Sequence, residues 1–240
     1  MVRAQDGLPV RWPTRVGLAR DGEHLIVRFR CRDDRRWATH SSRDAPLWEE
    51  EVVEIFLAPG ATTPTRYVEI EVNPLGALFD AVVDNPDGNP DGRRDSLRVD
   101  TSWDCPEIAW RADALHDAPT ADADGTTSAE PWSVELIVPW RGVLDGLGVT
   151  SPTVPSIWRA NAYRVERPAG PGAAQDDVEY SAWSPTWRDP ADFHVPERFG
   201  VWVLDGVEPA PSARVLDALR ARHLPIVRIP RVDRRPPAHT

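Results

Sequence analysis

The run WEEEVVEIFL, from Trp48 to Leu57, carries an aromatic face at its head and a carboxylate, Glu54, six positions on. A second tryptophan, Trp187, sits in SPTWRDP, from Ser184 to Pro190. An indole offers a broad apolar face and one N–H donor. It therefore fills a core, or it stacks on the flat face of a sugar ring or base while polar neighbours read the edge. A carboxylate that accepts two hydroxyl protons fixes the orientation of such a ring through charge-assisted hydrogen bonds. Acidic pairs raise a second chemistry. Glu49 with Glu54, or Glu69 with Glu71, could supply the acid and the base or nucleophile of glycoside hydrolysis. Glu69 and Glu71 are i, i+2 on one strand, roughly 7 Å apart. They are expected to be solvated and ionised, with nothing apolar placed to raise either pKa. GxSxG, HExxH, P-loop and nucleotide fingerprints are missing from the sequence.

The elements that must position these residues are strands. HLIVRFRCR (His24 to Arg32) alternates, with Leu25, Val27, Phe29 and Cys31 on one face. Val52 to Leu57 sets Val53, Ile55 and Leu57 against Glu54, and YVEIEVN (Tyr67 to Asn73) sets Val68, Ile70 and Val72 against Tyr67, Glu69 and Glu71. On this pattern Glu54 faces solvent, paired with an arginine across the sheet, and Glu69 and Glu71 form a charged outer face. Further runs lie at Leu78 to Val83, Glu107 to Ala112, Trp132 to Val138, Ile157 to Val165 and Phe199 to Leu204, and Pro and Gly punctuate the gaps. The fold class is all-β: an antiparallel β-sandwich, jelly-roll-like, with one buried face per sheet. SARVLDALRARH (Ser212 to His223) predicts one short C-terminal helix with Ser212 as N-cap. LPIVRIPRV adds an edge strand or an extended tail, and RRPPAHT is expected to be disordered. The division is 1–206 for the sandwich and 207–240 for the helix and partly disordered tail. Long loops are expected at Asn85 to Asp95 and His116 to Glu130.

Composition narrows the partners. The 240-residue chain has net charge −10, which repels nucleic-acid phosphates and leaves sugars as the natural partner of exposed indoles. Eleven of nineteen aromatic residues are tryptophan, and Trp110, Trp132, Trp140, Trp158 and Trp202 sit in or beside strands as core candidates, with Trp183 left between core and ligand. No apolar run approaches the roughly 20 residues that span a bilayer, so no membrane partner is expected. The start, MVRAQDGLPVRW, has no apolar h-region, which makes the default location cytoplasmic. Cys31 and Cys105 show no metal spacing; they form either one disulfide or two buried thiols. The six histidines stand singly, and His194 in FHVPERFG reads as hydrogen-bonded structure.

The ordered motifs WEEEVVEIFLAP, YVEIEVNPLGALFD, WSVELIVPW, WRANAYRVER and YSAWSPTWRDPADFHVPERFGVWVL resemble the family 9 carbohydrate-binding modules, from about Leu25 to Leu204. More closely they resemble the free-standing, family-9-like group. The resemblance implies a β-sandwich in which two tryptophans clamp a terminal sugar ring. Trp48 and Trp187 match the clamp, and Glu54 matches the hydroxyl acceptor of its W-x5-E segment. An arginine, an asparagine and a glutamine that read the sugar correspond here to Glu71, Ser184 and Tyr163. Asn161 and Arg164 are the remaining polar candidates, and on a regular strand only one of them lines a given cleft. The family is usually secreted, is attached to enzymes of carbohydrate breakdown, and often holds structural calcium in loops. The alternation Asp84, Asn85, Asp87, Asn89, Asp91 could serve calcium, although it lacks the Glu that closes an EF-hand and reads by itself as a solvated turn.

The functional expectation is non-catalytic binding of a small saccharide or polysaccharide chain end at Trp48, Glu54 and Trp187. The alternatives are a structural or interaction sandwich whose sugar site has been lost, which predicts Trp48 or Trp187 buried against the protein's own side chains, and a hydrolase using paired carboxylates. A haem-binding sandwich is disfavoured, since Met1 is the sole methionine.

Overall fold

A computed structural model describes residues 1–33, 35–88, 95–114, 131–168, 170 and 177–233. Among them, strands form two sheets. The larger sheet runs β1 (Val2–Arg3), β11 (Glu179–Ala182), β10 (Ile157–Glu166), β4 (Val52–Pro59), β5 (Arg66–Val72), β6 (Leu78–Asp84) and β7 (Arg98–Asp100). β12 (Gly200–Leu204) pairs with the other end of β10, and β13 (Ile226–Ile229) lies parallel to β12. The smaller sheet runs β2 (Thr14–Arg20), β3 (His24–Cys31), β9 (Trp132–Pro139) and β8 (Ala109–Ala114). Every named pairing except β12 with β13 is antiparallel.

The two sheets bury their faces by different rules. In β3, Leu25, Val27, Phe29 and Cys31 are buried while Arg28 and Arg30 are exposed, as a sheet with one wet face requires. The central strands of the larger sheet are buried on both faces: Val52 through Ala58 and Tyr67 through Val72 are all buried. Val53, Ile55 and Leu57 belong to the core shared with Leu25, Val27, Phe29, Trp132, Val134 and Leu136. The opposite face carries Glu54, Phe56, Tyr67, Glu69, Glu71 and Tyr163. A late segment covers part of it, with Phe193 stacked on Tyr163 at 4.1 Å between ring centroids, His194 at 5.2 Å from Phe56, and Phe199 edge-on to Tyr67 at 5.1 Å. The expectation of one buried face per sheet is therefore corrected for this sheet.

Trp132, Trp140, Trp158 and Trp202 are buried core residues, and Trp110 is half-buried with its indole donating to the Gly76 carbonyl. Trp183 is half-buried packing. A Cβ on Gly200 would lie 2.2 Å from its ring, so the sequence needs glycine where the indole crosses β12. A helix, α1 (Trp140–Gly146), follows β9 without having been legible beforehand. The C-terminal helix α2 (Ala213–Arg220) starts where expected, and the Ser212 side chain accepts from the Val215 N–H. Its Leu216 and Leu219 pack with Val201, Val203 and Leu224. The helix is thus the crossover that joins the parallel pair β12 and β13. Cys31 and Cys105 are free, buried thiols, and burial pushes both up to about 12. Among the described residues no helix is long and apolar enough to cross a membrane. The expected loop His116 to Glu130 and tail RRPPAHT lie outside the described residues.

Candidate functional site

Trp48 sits on a single helical turn, Leu47–Glu49, whose Leu47 is fully buried. Glu50 anchors the turn by accepting the backbone N–H groups of Thr39 and His40 and the Thr39 hydroxyl. With the turn held at both ends, the Trp48 ring stands 46% exposed, its edge against Phe79 with centroids 5.2 Å apart at 77°. It forms one wall of a cavity of about 570 Å³ over the outer face of the larger sheet. Phe56, Phe79, Val165 and Phe193 supply more apolar wall, and Glu54, Glu69 and Glu71 supply the carboxylates.

Register explains how the acids meet. Glu54 on β4 stands opposite Glu71 on β5, and Tyr163 on β10 flanks it on the other side. Glu69, two residues before Glu71, projects from the same face, and one oxygen of each of the three carboxylates lies within 4.8 Å of the others. The three are 2%, 5% and 0% exposed for Glu54, Glu69 and Glu71. Among the described residues, the hydrogen-bonding group that faces the Glu71 carboxyl is the Glu69 carboxyl beside it. Burial first, and then the charges of Glu54 and Glu69, raise the Glu71 carboxyl well above the ordinary range. Three expectations are thereby corrected. Glu69 and Glu71 are not a solvated outer face, Glu54 is buried with Glu71 and Tyr163 opposite it in the sheet, and the surroundings do raise a carboxyl pKa.

The other expected site residues fall elsewhere. Trp187 is 53% exposed but lies outside the described lining of this cavity. Its backbone N–H donates to the Ala4 carbonyl, its backbone is left-handed at φ 58°, and its ring lies against Gly7, where a Cβ would come within 2.8 Å. Asn161 does not line the cavity. It is fully buried, its amide donating to the Ser184 carbonyl and its oxygen accepting the Ser184 N–H, so it ties down the loop that carries Trp187. Arg164, on the opposite face, points into the interior. It donates to Asp33, Glu51 and Glu166 and to the Arg32 carbonyl, and sits 5.7 Å from the Trp132 ring centroid. Neither of the pair is among the lining residues of this cavity: one positions a loop and the other balances buried acids. Tyr163 is also buried, donating to the Phe193 carbonyl. His194 is hydrogen-bonded structure, its Nδ1 2.9 Å from the Tyr67 hydroxyl.

Asp84 pairs with Arg66 at 3.0 Å, and Asn85 is buried with its amide on the His194 carbonyl, while Asn89 and Asp91 lie outside the described residues. Sequence reasoning missed Phe79 and Phe193 as walls of the cavity and Glu69 as part of its floor. A signal was present: Phe56 and Tyr67 share the alternation phase of Glu54, Glu69 and Glu71, and large aromatics on an outward face call for a cover.

The comparisons agree with this architecture. A protein from Bacteroides uniformis inferred to bind carbohydrate superposes with a TM-score of 0.58 at 16% identity, covering 83% of this chain and 82% of that one. A family 9 carbohydrate-binding module from Caldicellulosiruptor kristjanssonii, in complex with glucose, gives 0.50 at 13% identity over 88% and 86%. An "Extracellular protein" from Arthroderma benhamiae is 26% identical over 188 residues, which are 78% of this chain and 76% of that protein. The model of carbohydrate-binding family 9 matches residues 10–204, and this chain belongs to that family.

Proposed function

We propose that this chain binds a carbohydrate without transforming it, seating a sugar ring in the cavity beneath Trp48. The observation that carries the reading is the juxtaposition of an indole face 46% exposed with buried carboxylates on one sheet face. A pyranose has apolar C–H faces and a polar hydroxyl rim. An aromatic wall stacks on the first, and acceptors such as Glu54 and Glu71 take protons from the second. A cavity of about 570 Å³ matches the size range of small-molecule sites and suits a chain end or small oligosaccharide. Membership of carbohydrate-binding family 9 and the glucose complex of its structural neighbour support the ligand class.

Trp187 is the second stacking face in this proposal. What supports it is exposure of a large indole held on left-handed backbone, a conformation costly for a non-glycine residue and concentrated at functional positions. The exposure of Trp48 and Trp187 weighs against the lost-site alternative, which requires one of them to be buried. The binding would serve carbohydrate breakdown by holding substrate close to the enzymes that cleave it. Intrinsic fluorescence titrated with glucose, xylose and cello-oligosaccharides tests the reading. A saturable change that Trp48→Ala abolishes is expected, and a flat response across the panel from folded protein would refute it.

A further inference from the structure

A sugar hydroxyl both donates and accepts, whereas carboxylates such as Glu54 and Glu71 serve it as acceptors. They take protons from the hydroxyl rim and leave the lone pairs of its oxygens unread. The Glu69 and Glu71 carboxyls hydrogen-bond each other, so a proton retained there is directed between them and not at a ligand. A strong donor must come from elsewhere in the lining. The sequence has no lysine, and Arg167 is the one arginine among the described lining residues of the cavity.

Strand alternation carries Arg167 to this wall. In β10, Arg164 and Glu166 meet in the interior, whereas Val165 lines the cavity. Arg167 continues the phase of Val165 just past the strand end. Its backbone is held there, because its carbonyl accepts the Gly170 N–H at 3.0 Å and the Trp37 indole N–H. The Trp37 backbone N–H donates in turn to Glu51 at 3.1 Å, which ties the position to the interior acids. The side chain has no such tie. Among the described residues it has no ion-pair partner, and its buried Nε has no hydrogen-bond partner. Arg159 and Arg164, the fully buried arginines of the same strand, are committed instead. The first donates to the carbonyls of Pro196, Glu197 and Phe199, and the second to Asp33, Glu51 and Glu166. A buried donor without a partner calls for one. On a cavity wall beside aromatic rings and acceptors, a ligand oxygen answers that call.

We propose that Arg167 is a binding residue of this cavity, donating from its planar fork to two neighbouring oxygens of a neutral pyranose. The proposal rests on the carbohydrate reading and narrows the ligand. A guanidinium carries its N–H donors in fixed directions and accepts nothing, so it selects a pair of adjacent oxygens. The carboxylates in the same lining repel an anionic sugar. A neutral ring with adjacent hydroxyls satisfies both sets of groups.

Calorimetric titration with glucose and each of its monodeoxy analogues tests the assignment. In wild type, loss of either of two adjacent hydroxyls should weaken binding roughly tenfold, as for a hydrogen bond to a charged group. Arg167→Ala should bind glucose at least tenfold more weakly and show no further loss at those two positions, while penalties at other positions persist. Arg167→Lys keeps the stem and the charge but not the fork. It should flatten the same two positions, and it decides the question where Arg167→Ala does not fold. A guanidinium that only balances the acids would weaken every analogue by one factor and leave the pattern of penalties unchanged. That pattern, or unaltered glucose affinity in Arg167→Ala, would overturn the proposal. The carbohydrate reading survives either result where Trp48→Ala still abolishes glucose binding. Folded wild type that binds none of these sugars defeats the reading and the proposal together. Glucuronate should bind at least tenfold more weakly than glucose, and equal affinity would overturn the restriction to neutral rings.

Discussion

Four acids in one short run have four environments. Glu49 is exposed, Glu50 caps a loop, Glu51 is buried in the interior beside Arg164, and Glu54 faces the cavity. Adjacent residues on a strand point to opposite faces, so composition alone cannot distinguish them. The interior cluster sets one guanidinium against three carboxylates, Asp33, Glu51 and Glu166, each within 3.4 Å of the Arg164 Nη2. Removing the Arg164 guanidinium takes a buried counter-charge from all three acids, so Arg164→Ala should cost about 3 to 5 kcal/mol. Urea denaturation measures this, and a loss under 1 kcal/mol would contradict the placement. One cation cannot balance three anions. Burial first, then hydrogen bonding and repulsion among the acids, pushes Asp33 and Glu51 up to about 8 and Glu166 up to about 7. The folded state therefore binds more protons than the unfolded chain between the ordinary carboxylate range and about pH 8. Stability from these groups is fully present below that range and is lost as pH rises through 7 to 8. The urea midpoint should be lower at pH 8 than at pH 5, and a midpoint that rises over this interval would contradict the assignment.

At the scale of elements, a site held by β4, β5 and one anchored turn inherits the rigidity of the sheet, whereas Trp187 depends on a loop. Asn161 closes two hydrogen bonds onto Ser184, three residues before that tryptophan. Asn161→Ala should destabilise the protein by about 1 to 3 kcal/mol by stranding buried backbone groups. It should also weaken sugar binding. Full retention of sugar affinity would remove Trp187 from the proposed clamp. The same contrast explains what the sequence made legible. The smaller sheet keeps one wet face, so the alternation of β3 and β9 read directly as strand and core. β4 and β5 alternate too, but their charged face is roofed by Phe193, His194 and Phe199, more than a hundred residues away in sequence. Alternation identified that face and could not say what covers it. Short strands such as β1, β7 and β11 carry too few residues to show a period at all. The clamp residues of the resemblance were likewise visible as types. Their separation into a cavity wall and a peripheral loop depends on tertiary placement.

For the molecule as a whole, the sandwich is completed by its C-terminal segment. α2 buries Leu216 and Leu219 against Val201 and Val203, and β13 shields the edge of β12. We propose that residues 1–206 still fold alone, since the main core is independent of α2 and draws mainly on earlier strands. A chain truncated after Gly206 should fold with a lower melting temperature and a stronger tendency to associate, because it bares an unpaired edge and an apolar strip. Complete unfolding on truncation would show that the segment is integral to the domain. The central claim concerns the cavity, and isothermal titration calorimetry with glucose and cello-oligosaccharides tests it most directly. Wild-type protein should bind with one site per chain, and Trp48→Ala should lose at least tenfold in affinity, about 1.4 kcal/mol. Heats indistinguishable from dilution for every sugar, or a folded Trp48→Ala variant that binds as tightly as wild type, would contradict the account.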